Sequence, residues 1–418
     1  MDAREEKGLQ IAENGKIIKT PVGWKVPSQS GNGSYVVNLD HGHPFCTCPD
    51  FEARNQACKH IHAVEFTIEK ETKADGTVTL TKLVKMTCTQ EWNEYDQAQM
   101  HEQERFVALL RDLCNGIPQP DYRFGHPRLP LSDVVFGLVL KGYTTFSGRR
   151  FMSGLREAET KELVTKSASF ASNARYLENP ELAPILKTLI ERSATPLKAV
   201  ETDFAVDSSG FSSTTYDRWF DHKWGKVRSE AKWVKAHVMC GVKTHIVTSV
   251  ETTDGDSHDT LQFPKLVNDT AKTFNIAEVS ADKAYSTRAN LHTVQAQGGI
   301  AYIPFKKFST GSQGSHHKFD GLWQKMWHFY TFNQDAFYAH YHKRSNVETV
   351  FSMIKAKFGG SVRSKNSTAQ VNEVLCKILC HNICCLIQSI YELGLEPTFW
   401  TFDTKEAVVP KVLENYDF

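Results

Sequence analysis

The stretch YHKRSNVETVFSMIKAKF, residues 341–358, constrains this chain most. At about 100° per residue, Tyr341, Arg344, Glu348 and Lys355 fall within roughly 60° of one another on an α-helix. Val347, Phe351, Ile354 and Phe358 form an apolar stripe beside them, so the pattern predicts a helix with one face in a core. Glu348 then stands at the edge of that face, flanked by two cations and a phenol. A carboxylate can hold a hard metal ion, and Arg and Lys can hold phosphates. A solvated face with ordinary ion pairs is the plainer alternative for any one of them. All four in one sector favour a helix that handles a nucleic-acid backbone.

Two upstream segments read as strands ending in acids. In TDFAVDSSGF, Phe204 and Val206 alternate, and Asp207 is expected where a short strand runs into Ser208, Ser209 and Gly210. Asp203 shares the parity of Asp207, so alternation alone does not separate them; the turn favours Asp207. IAEVSADKAYS reads as a strand ending at Asp282, with Tyr285 three residues on. Asp269, in the helical pattern LQFPKLVNDTAKTF, and Glu373, without suitably spaced basic neighbours, are weaker rivals. WVKAHVMCGVKTHIVTSVETTDGDSHDT, between the two segments, reads as a strand pair.

The spacing Y-x2-R-x3-E-x6-K is similar to the signature helix of DDE-class insertion-sequence transposases. Asp207 resembles that family's strand-borne Asp, and Asp282 with Tyr285 its Asp-x-x-Tyr segment. The resemblance covers roughly residues 200–395. It implies an α/β core with a ribonuclease-H-like mixed sheet flanked by helices, and Asp207, Asp282 and Glu348 as catalytic metal ligands. Two Mg²⁺ (or Mn²⁺) ions about 4 Å apart suit the attacking and leaving oxygens of a phosphodiester. Asp207 would bridge them, Arg344 and Lys355 would clamp phosphates, and Tyr341 would position a phosphate or sugar. The implied activity is cleavage at transposon ends and transfer of a 3′-hydroxyl into target DNA. Pairing two ends implies a homodimer or higher multimer. A metal-dependent DNA nuclease of the same fold and a non-catalytic DNA-binding protein remain the alternatives.

The other end of the chain carries an independent signal. CTCPDFEARNQACKHIHAV places Cys46, Cys48, Cys58 and His60 as C-x-C-x9-C-x-H. Three thiolates and an imidazole are the ligand set of one closed, structural Zn²⁺ site. NGSYVVNLDHGHPF before it alternates as a hairpin, and HIHAVEF after it starts as a helix. The segment resembles the SWIM zinc finger, which implies DNA or protein binding. His41, His43 and His62 are surplus to the ligand set.

Between these ends the pattern is helical. EWNEYDQAQMHEQERFVALLRDLC predicts one long helix ended by Asn115, Gly116 and Pro118, followed by a Pro-rich linker, PQPDYRFGHPRLP. PLSDVVFGLVLKGY and SGRRFMSGLREA predict two helices with Ser132 and Ser147 as N-caps. As a helix-turn-helix they would place Arg149, Arg150 and Arg156 on DNA. The expected organisation is a zinc module over 1–85, a helical, possible DNA-binding region over 90–196, the catalytic domain over 200–395 and an acidic tail over 396–418.

Composition enters mainly through charge. With 49 basic against 48 acidic residues the net charge is +1, so DNA binding is visible only locally. Lys223–Lys243, interleaved with Trp219, Trp224 and Trp233, and Lys343–Lys365 are the basic runs. STGSQGSHHKFDG, with His316, His317 and Lys318, reads as a loop near DNA, and Trp323 and Trp327 follow it. No signal peptide or membrane anchor is expected, and the locale is cytoplasmic, nucleoid-associated. Cys376, Cys380 and Cys384 recur every four residues in an apolar helix, which reads as a small-residue core seam rather than a metal site.

Overall fold

A computed structural model describes residues 4, 7–8, 11–12, 17–20, 23–29, 33–39, 44–54, 56–72 and 78–82, and beyond them 92–120, 128–213, 233–307, 309–311 and 320–400. The chain divides into two compact units, residues 1–90 and 91–418.

The first unit holds a four-stranded antiparallel sheet, β1 (Ile18–Thr20), β2 (Gly23–Pro27), β3 (Ser34–Asn38) and β4 (Phe45–Cys46), in sequential order. Val37 pairs with Cys46, closing the hairpin that leads into the cysteine segment. Helices α1 (Pro49–Arg54) and α2 (Lys59–Thr67) follow, then a separate ribbon, β5 (Ile68–Thr72) with β6 (Val78–Lys82). Its core is small: Trp24, Val26, Val37, Phe51, Ile61 and Val64 bury around the cysteines.

The second unit is built on a five-stranded mixed sheet of ribonuclease-H-like form. β7 (Asp203–Ser212), β8 (Trp233–Gly241) and β9 (Val247–Asp254) run antiparallel as a meander. β10 (Glu278–Ala281) and β11 (Ile300–Tyr302) add in parallel on the other side of β7, giving the order β11-β10-β7-β8-β9. Parallel neighbours need crossovers, supplied by α9 (Phe263–Ala271) before β10 and α10 (Arg288–Ala296) before β11.

Among the described residues of the second unit, six helices precede the sheet: α3 (Trp92–Met100), α4 (Glu102–Asn115), α5 (Leu131–Thr144), α6 (Gly148–Thr160), α7 (Phe170–Leu177) and α8 (Leu182–Ala194). Four follow it: α11 (Gly321–Phe332), α12 (Gln334–Tyr341), α13 (Ser345–Phe358) and α14 (Ser367–Leu393). The single helix expected over residues 91–114 is broken at His101 (φ −103°, ψ 7°). Backbone bonds from His101 to Gln97 (3.2 Å) and from Arg105 to His101 (3.1 Å) carry across the break. Glu102, next in line, is buried against Tyr143 (2.8 Å) and Lys357. The N-cap of α5 is Pro130, not Ser132, which lies within the first turn; a proline's fixed φ and missing N–H suit a helix start. Ser147 does stand at the N-cap of α6 in extended conformation.

α14, 27 residues and about 40 Å long, packs against α3, α4, α5, α7 and α8 and onto the sheet. The cysteine seam is what α5 lies on. A methyl placed on Gly142 would meet Cys380 Sγ at 3.5 Å and Cys376 Cβ at 3.6 Å. Burial pushes the Cys376 thiol up to about 12 and Cys380 well above the ordinary range, so these are core residues rather than thiolate ligands. Among the described residues α14 alone is long and apolar enough to cross a membrane, yet 78% of its apolar window is buried in protein.

Asn382 ties α14 to two other elements. Its side chain accepts from Val247 N–H (2.9 Å) and donates to Val247 O (2.7 Å), Ile190 O (3.2 Å) and Ser193 Oγ (3.0 Å). It thereby serves as a ladder partner for the first residue of β9. An unsatisfied buried polar group costs about 1–3 kcal/mol. Asn382→Leu therefore loses roughly 3 kcal/mol or more of unfolding free energy by urea denaturation; a loss under about 1 kcal/mol would show that water can replace the amide.

Candidate active site and zinc centre

β7 and β10 pair in parallel with Val206 opposite Ala281, so Asp207, within β7, and Asp282, just past the end of β10, come next along adjacent strands. β10 ends there, and Asp282 caps the short 3-10 turn Lys283–Tyr285, accepting from Lys283 N–H at 2.6 Å. Asp207 does not meet a turn, as the Ser-Ser-Gly run suggested. β7 continues to Ser212, because β8 pairs with it along its whole length and supplies the ladder that carries it on. The parallel neighbour is what stops at this point, opening one edge of β7 beside Asp207. The Asp207 carboxylate accepts from Ser208 N–H at 2.8 Å.

Asp203, of the same parity, is otherwise engaged. Its carboxylate meets Lys343 Nζ at 2.7 Å, and the same ammonium reaches Glu278 at 2.7 Å. Asp203 and Glu278 are register partners on β7 and β10, so Lys343 neutralises a cross-strand acid pair. Asp269 pairs with Lys272. Glu373 accepts from the backbone of Arg363 (3.0 Å) and Ser364 (3.0 Å).

The third acid comes from α13. Tyr341 and Lys355 are not on one continuous α-helix: α12 ends at Tyr341, His342–Arg344 form a 3-10 turn, and α13 begins at Ser345. The tighter turn shifts Tyr341 and Arg344 out of the uniform 100° spacing that a regular helix would impose. The apolar stripe is as expected, with Val347, Phe351, Ile354 and Phe358 buried, joined by Val350. It seats α13 against β7 and β8.

Arg344 joins the two ends of the site. One arm of its guanidinium donates to Asp207 at 3.0 Å and the other pairs with Glu348, so both carboxylates converge on one planar group. Lys355 donates to Ser209 Oγ at 2.6 Å and lies 5.4 Å from the centre of the Phe211 ring, fixed to β7 two residues past Asp207. Burial pushes its ammonium below the ordinary lysine range. Tyr341 is half-buried, and burial holds its phenol up, with the Arg344 charge opposing and Asp282 assisting. Tyr285 is wholly buried beneath the site, fixed by Phe263 at 5.6 Å between ring centres and by Asn290, which donates to its carbonyl at 2.8 Å.

Asp207 is held above the usual carboxylate range. Burial is the main cause, and the charges of Glu348 and Asp282 add to it, while Ser208 N–H and Arg344 oppose. Asp207 thus lies within electrostatic reach of both Glu348 and Asp282. Carboxylate oxygens, half-buried on Asp207 and Asp282 and exposed on Glu348, are the hard ligands a divalent cation prefers. An Asp whose folded pKa exceeds its unfolded value of about 3.9 leaves stability unaffected below that pH and lowers it as pH rises through the interval. In EDTA, Asp207→Asn thus melts at higher temperature than the native chain at pH 7, and the gain vanishes below about pH 3.5. A variant with a lower melting temperature at pH 7, or a gain equal at every pH, would contradict this origin of the shift.

The remaining predicted residues lie elsewhere. Arg149, Arg150 and Arg156 are exposed on α6, which packs on α5 and α7; Arg149 stacks over Phe170 at 5.0 Å. Trp323 and Trp327 donate to the carbonyls of Thr310 (3.0 Å) and Ser309 (3.1 Å). Phe399 is buried, and Trp400 donates to Asp112 O at 3.2 Å, so the start of the tail packs on α4. Residues 214–232 with most of the first basic run, residues 312–319 with His316, His317 and Lys318, the linker core 121–127, tail residues 401–418, and His41 and His43 lie outside the described residues. Lys343 was within a basic run, but its acid-pair role was not legible, since Asp203 and Glu278 meet only through strand register.

In the first unit, Cys46 closes β4, Cys48 follows it, Cys58 precedes α2 and His60 lies in its first turn. All four are buried, and their ligand atoms lie within 4.8 Å of one another. His60 Nδ1 stands 3.9 Å from Cys46 Sγ and 3.8 Å from Cys58 Sγ. A tetrahedron with bonds of about 2.3 Å to sulfur and 2.0–2.1 Å to nitrogen has edges of roughly 3.5–3.8 Å, so the donors fit Zn²⁺. The thiol of Cys46 donates to Cys58, holding Cys58 down at about 3 and, with burial, Cys46 far up. His62 lies outside the set, beside Glu65 at 3.0 Å.

Both constellations fall inside known families. Residues 198–383 match the transposase DDE domain, and residues 35–69 match the SWIM zinc finger. The chain carries a transposase DDE domain behind a SWIM zinc finger. Asp207, Asp282 and Glu348 all lie within the DDE match, and the four zinc-type donors within the SWIM match. A DDE domain implies a divalent metal and DNA as partner; the SWIM finger with its Cys/His cluster implies zinc.

Proposed function

We propose that this chain is a DNA transposase that cuts transposon ends and joins them to target DNA, with Asp207, Asp282 and Glu348 as the catalytic acids. The observation that supports the reading is the placement of Asp207: beside Asp282 by strand register, and joined to Glu348 through the Arg344 guanidinium. Mg²⁺ (or Mn²⁺) held by the three carboxylates would supply Lewis-acid stabilisation of the attacking and leaving oxygens. Asp207, half-buried on β7, anchors the site to the sheet, and exposed Glu348 approaches from the open side. Arg344 and Lys355 supply fixed positive charge for non-bridging oxygens, and Tyr341 orients the strand beside Asp282. In the first reaction a water oxygen attacks phosphorus, the P–O3′ bond breaks, and the leaving oxygen takes up a proton as a 3′-hydroxyl. In the second, that hydroxyl attacks a target phosphorus and displaces another 3′-oxygen.

The SWIM module binds DNA or protein, and exposed Arg149 and Arg150 on α6 provide DNA contacts in the helical region. Synapsis of two ends calls for at least a homodimer, acting at the nucleoid. The test is a supercoiled plasmid carrying the gene with its native flanks, incubated with Mg²⁺ or EDTA. Excision with joined products, absent in EDTA and for Glu348→Gln, supports a transposase. Nicking without joining indicates a nuclease, and binding without cleavage a non-catalytic DNA-binding protein; either outcome overturns the reading.

A further inference from the structure

A second cationic site lies at the far end of α13. A cavity of about 80 Å³ opens there between α5, α14 and the loop that follows α13. One water needs only about 10–15 Å³ of such space, so the cavity has room for a larger group. Its wall carries three cations, Lys141, Arg363 and Lys377, and a single acid, Glu373.

The acid is already committed. Glu373 accepts from Arg363 N–H, Ser364 N–H and Ser364 Oγ (2.7 Å), and its single negative charge stands against three positive ones. Lys377 is 5% exposed, and its ammonium donates to Gly359 O (2.9 Å) and Ser361 O (2.7 Å), leaving one of three N–H groups. Arg363 uses one N–H on Thr145 O at 2.8 Å. Lys141 is half-exposed, and its ammonium has no hydrogen-bond or ion-pair partner among the described residues. Gly359 makes the turn with φ +84°, and a side chain there would approach the Lys377 ammonium, at 3.8 Å from a methyl.

The site is rigidly tied to the catalytic sheet. Ser212 at the end of β7 donates to Gly360 O (3.1 Å) and accepts from Val362 N–H (2.8 Å). Glu348 and Phe358 are ten residues apart on α13, a rise of about 15 Å. Each strand of a duplex offers a phosphate about every 3.4 Å of axis, so DNA lying along α13 presents one here roughly four steps from the reacting bond.

We infer that Lys141, Arg363 and Lys377 form a binding site for a backbone phosphate of the DNA, holding the duplex along α13 at a distance from the catalytic acids. The inference rests on the DNA-binding reading but not on its chemistry. Excess positive charge, donors left over on buried Lys377, half-exposed Lys141 and exposed Arg363, and an open cavity together fit a phosphodiester rather than a neutral ligand.

The test is fluorescence anisotropy on a mixed-sequence labelled duplex, in EDTA, over a series of salt concentrations. Lys141→Ala and Arg363→Ala should each reduce the slope of log K against log salt by about 0.9, the value of one lost phosphate contact, whatever the sequence. Lys272→Ala, in an exposed ion pair with Asp269 on α9, serves as the control and should leave the slope unchanged. Native slopes in both variants, or an equal drop in the control, would overturn the inference. Should Arg363→Ala fail to fold for want of its bond to Thr145, Lys141→Ala decides alone. Reduced slopes with no cleavage would leave this site standing and remove the transposase reading; cleavage with unchanged slopes would do the reverse.

Discussion

Asp207→Asn lowers Mg²⁺-dependent cleavage by on the order of 10³-fold, about 4 kcal/mol of transition-state stabilisation. The change keeps the shape of the side chain and its bond from Ser208 N–H, but removes the charge that a divalent cation needs. Asp282→Asn and Glu348→Gln reach the same floor, because in the proposed mechanism the three acids would act as one ligand set. Double variants are then scarcely worse than single ones. DNA affinity in EDTA stays near the native value, since none of these acids is asked to bind phosphate. The measurement is single-turnover cleavage beside anisotropy for each variant. An Asp207→Asn enzyme within tenfold of native would remove Asp207 from the catalytic set and return attention to Asp203. Asp203→Asn is the informative companion: its carboxylate is bound to Lys343, so its loss weakens folding more than cleavage.

Zinc removal has the larger effect on folding. Structural zinc contributes roughly 10–16 kcal/mol in small zinc modules, as much as the whole stability of an ordinary domain. The first unit has few other resources: eleven buried apolar residues are described, and three of them are the cysteines themselves. Calorimetry of the full chain should therefore show one transition lost with a strong chelator or in Cys58→Ser, while the transition of the second unit is retained. Metal analysis of the native chain should give near one zinc per chain, against near none for the variant. A zinc-free chain that keeps both transitions would refute a structural metal.

The zinc ligands could be read directly because they are local. Cys46, Cys48, Cys58 and His60 fall within fifteen residues, and no folding pattern that keeps the hairpin and α2 can place them far apart. The stripe Val347, Phe351, Ile354 and Phe358 was legible for a similar reason: periodicity reports which face is buried before anything is known of what buries it. The family-like spacing around Glu348 pointed to the same stretch. The exact helix did not follow, because a 3-10 turn at His342–Arg344 changes the rotation without changing the residues.

Sequence thus determined the ligand types, the buried faces and the order of the acids along the chain. Parity could not separate Asp203 from Asp207 on one strand, and the turn that favoured Asp207 is not where the strand ends. Their difference arises from a neighbour more than seventy residues away: β10 stops beside Val206, so Asp207 meets Asp282 at the open edge, while Asp203 is paired with Glu278 and held by Lys343. The cluster of Lys141, Arg363 and Lys377 was equally silent, being assembled by the packing of α5 on α14 across Gly142 and the cysteine seam. Tertiary structure decided both, because strand register and helix packing are set by the fit of whole surfaces, and no local spacing records them.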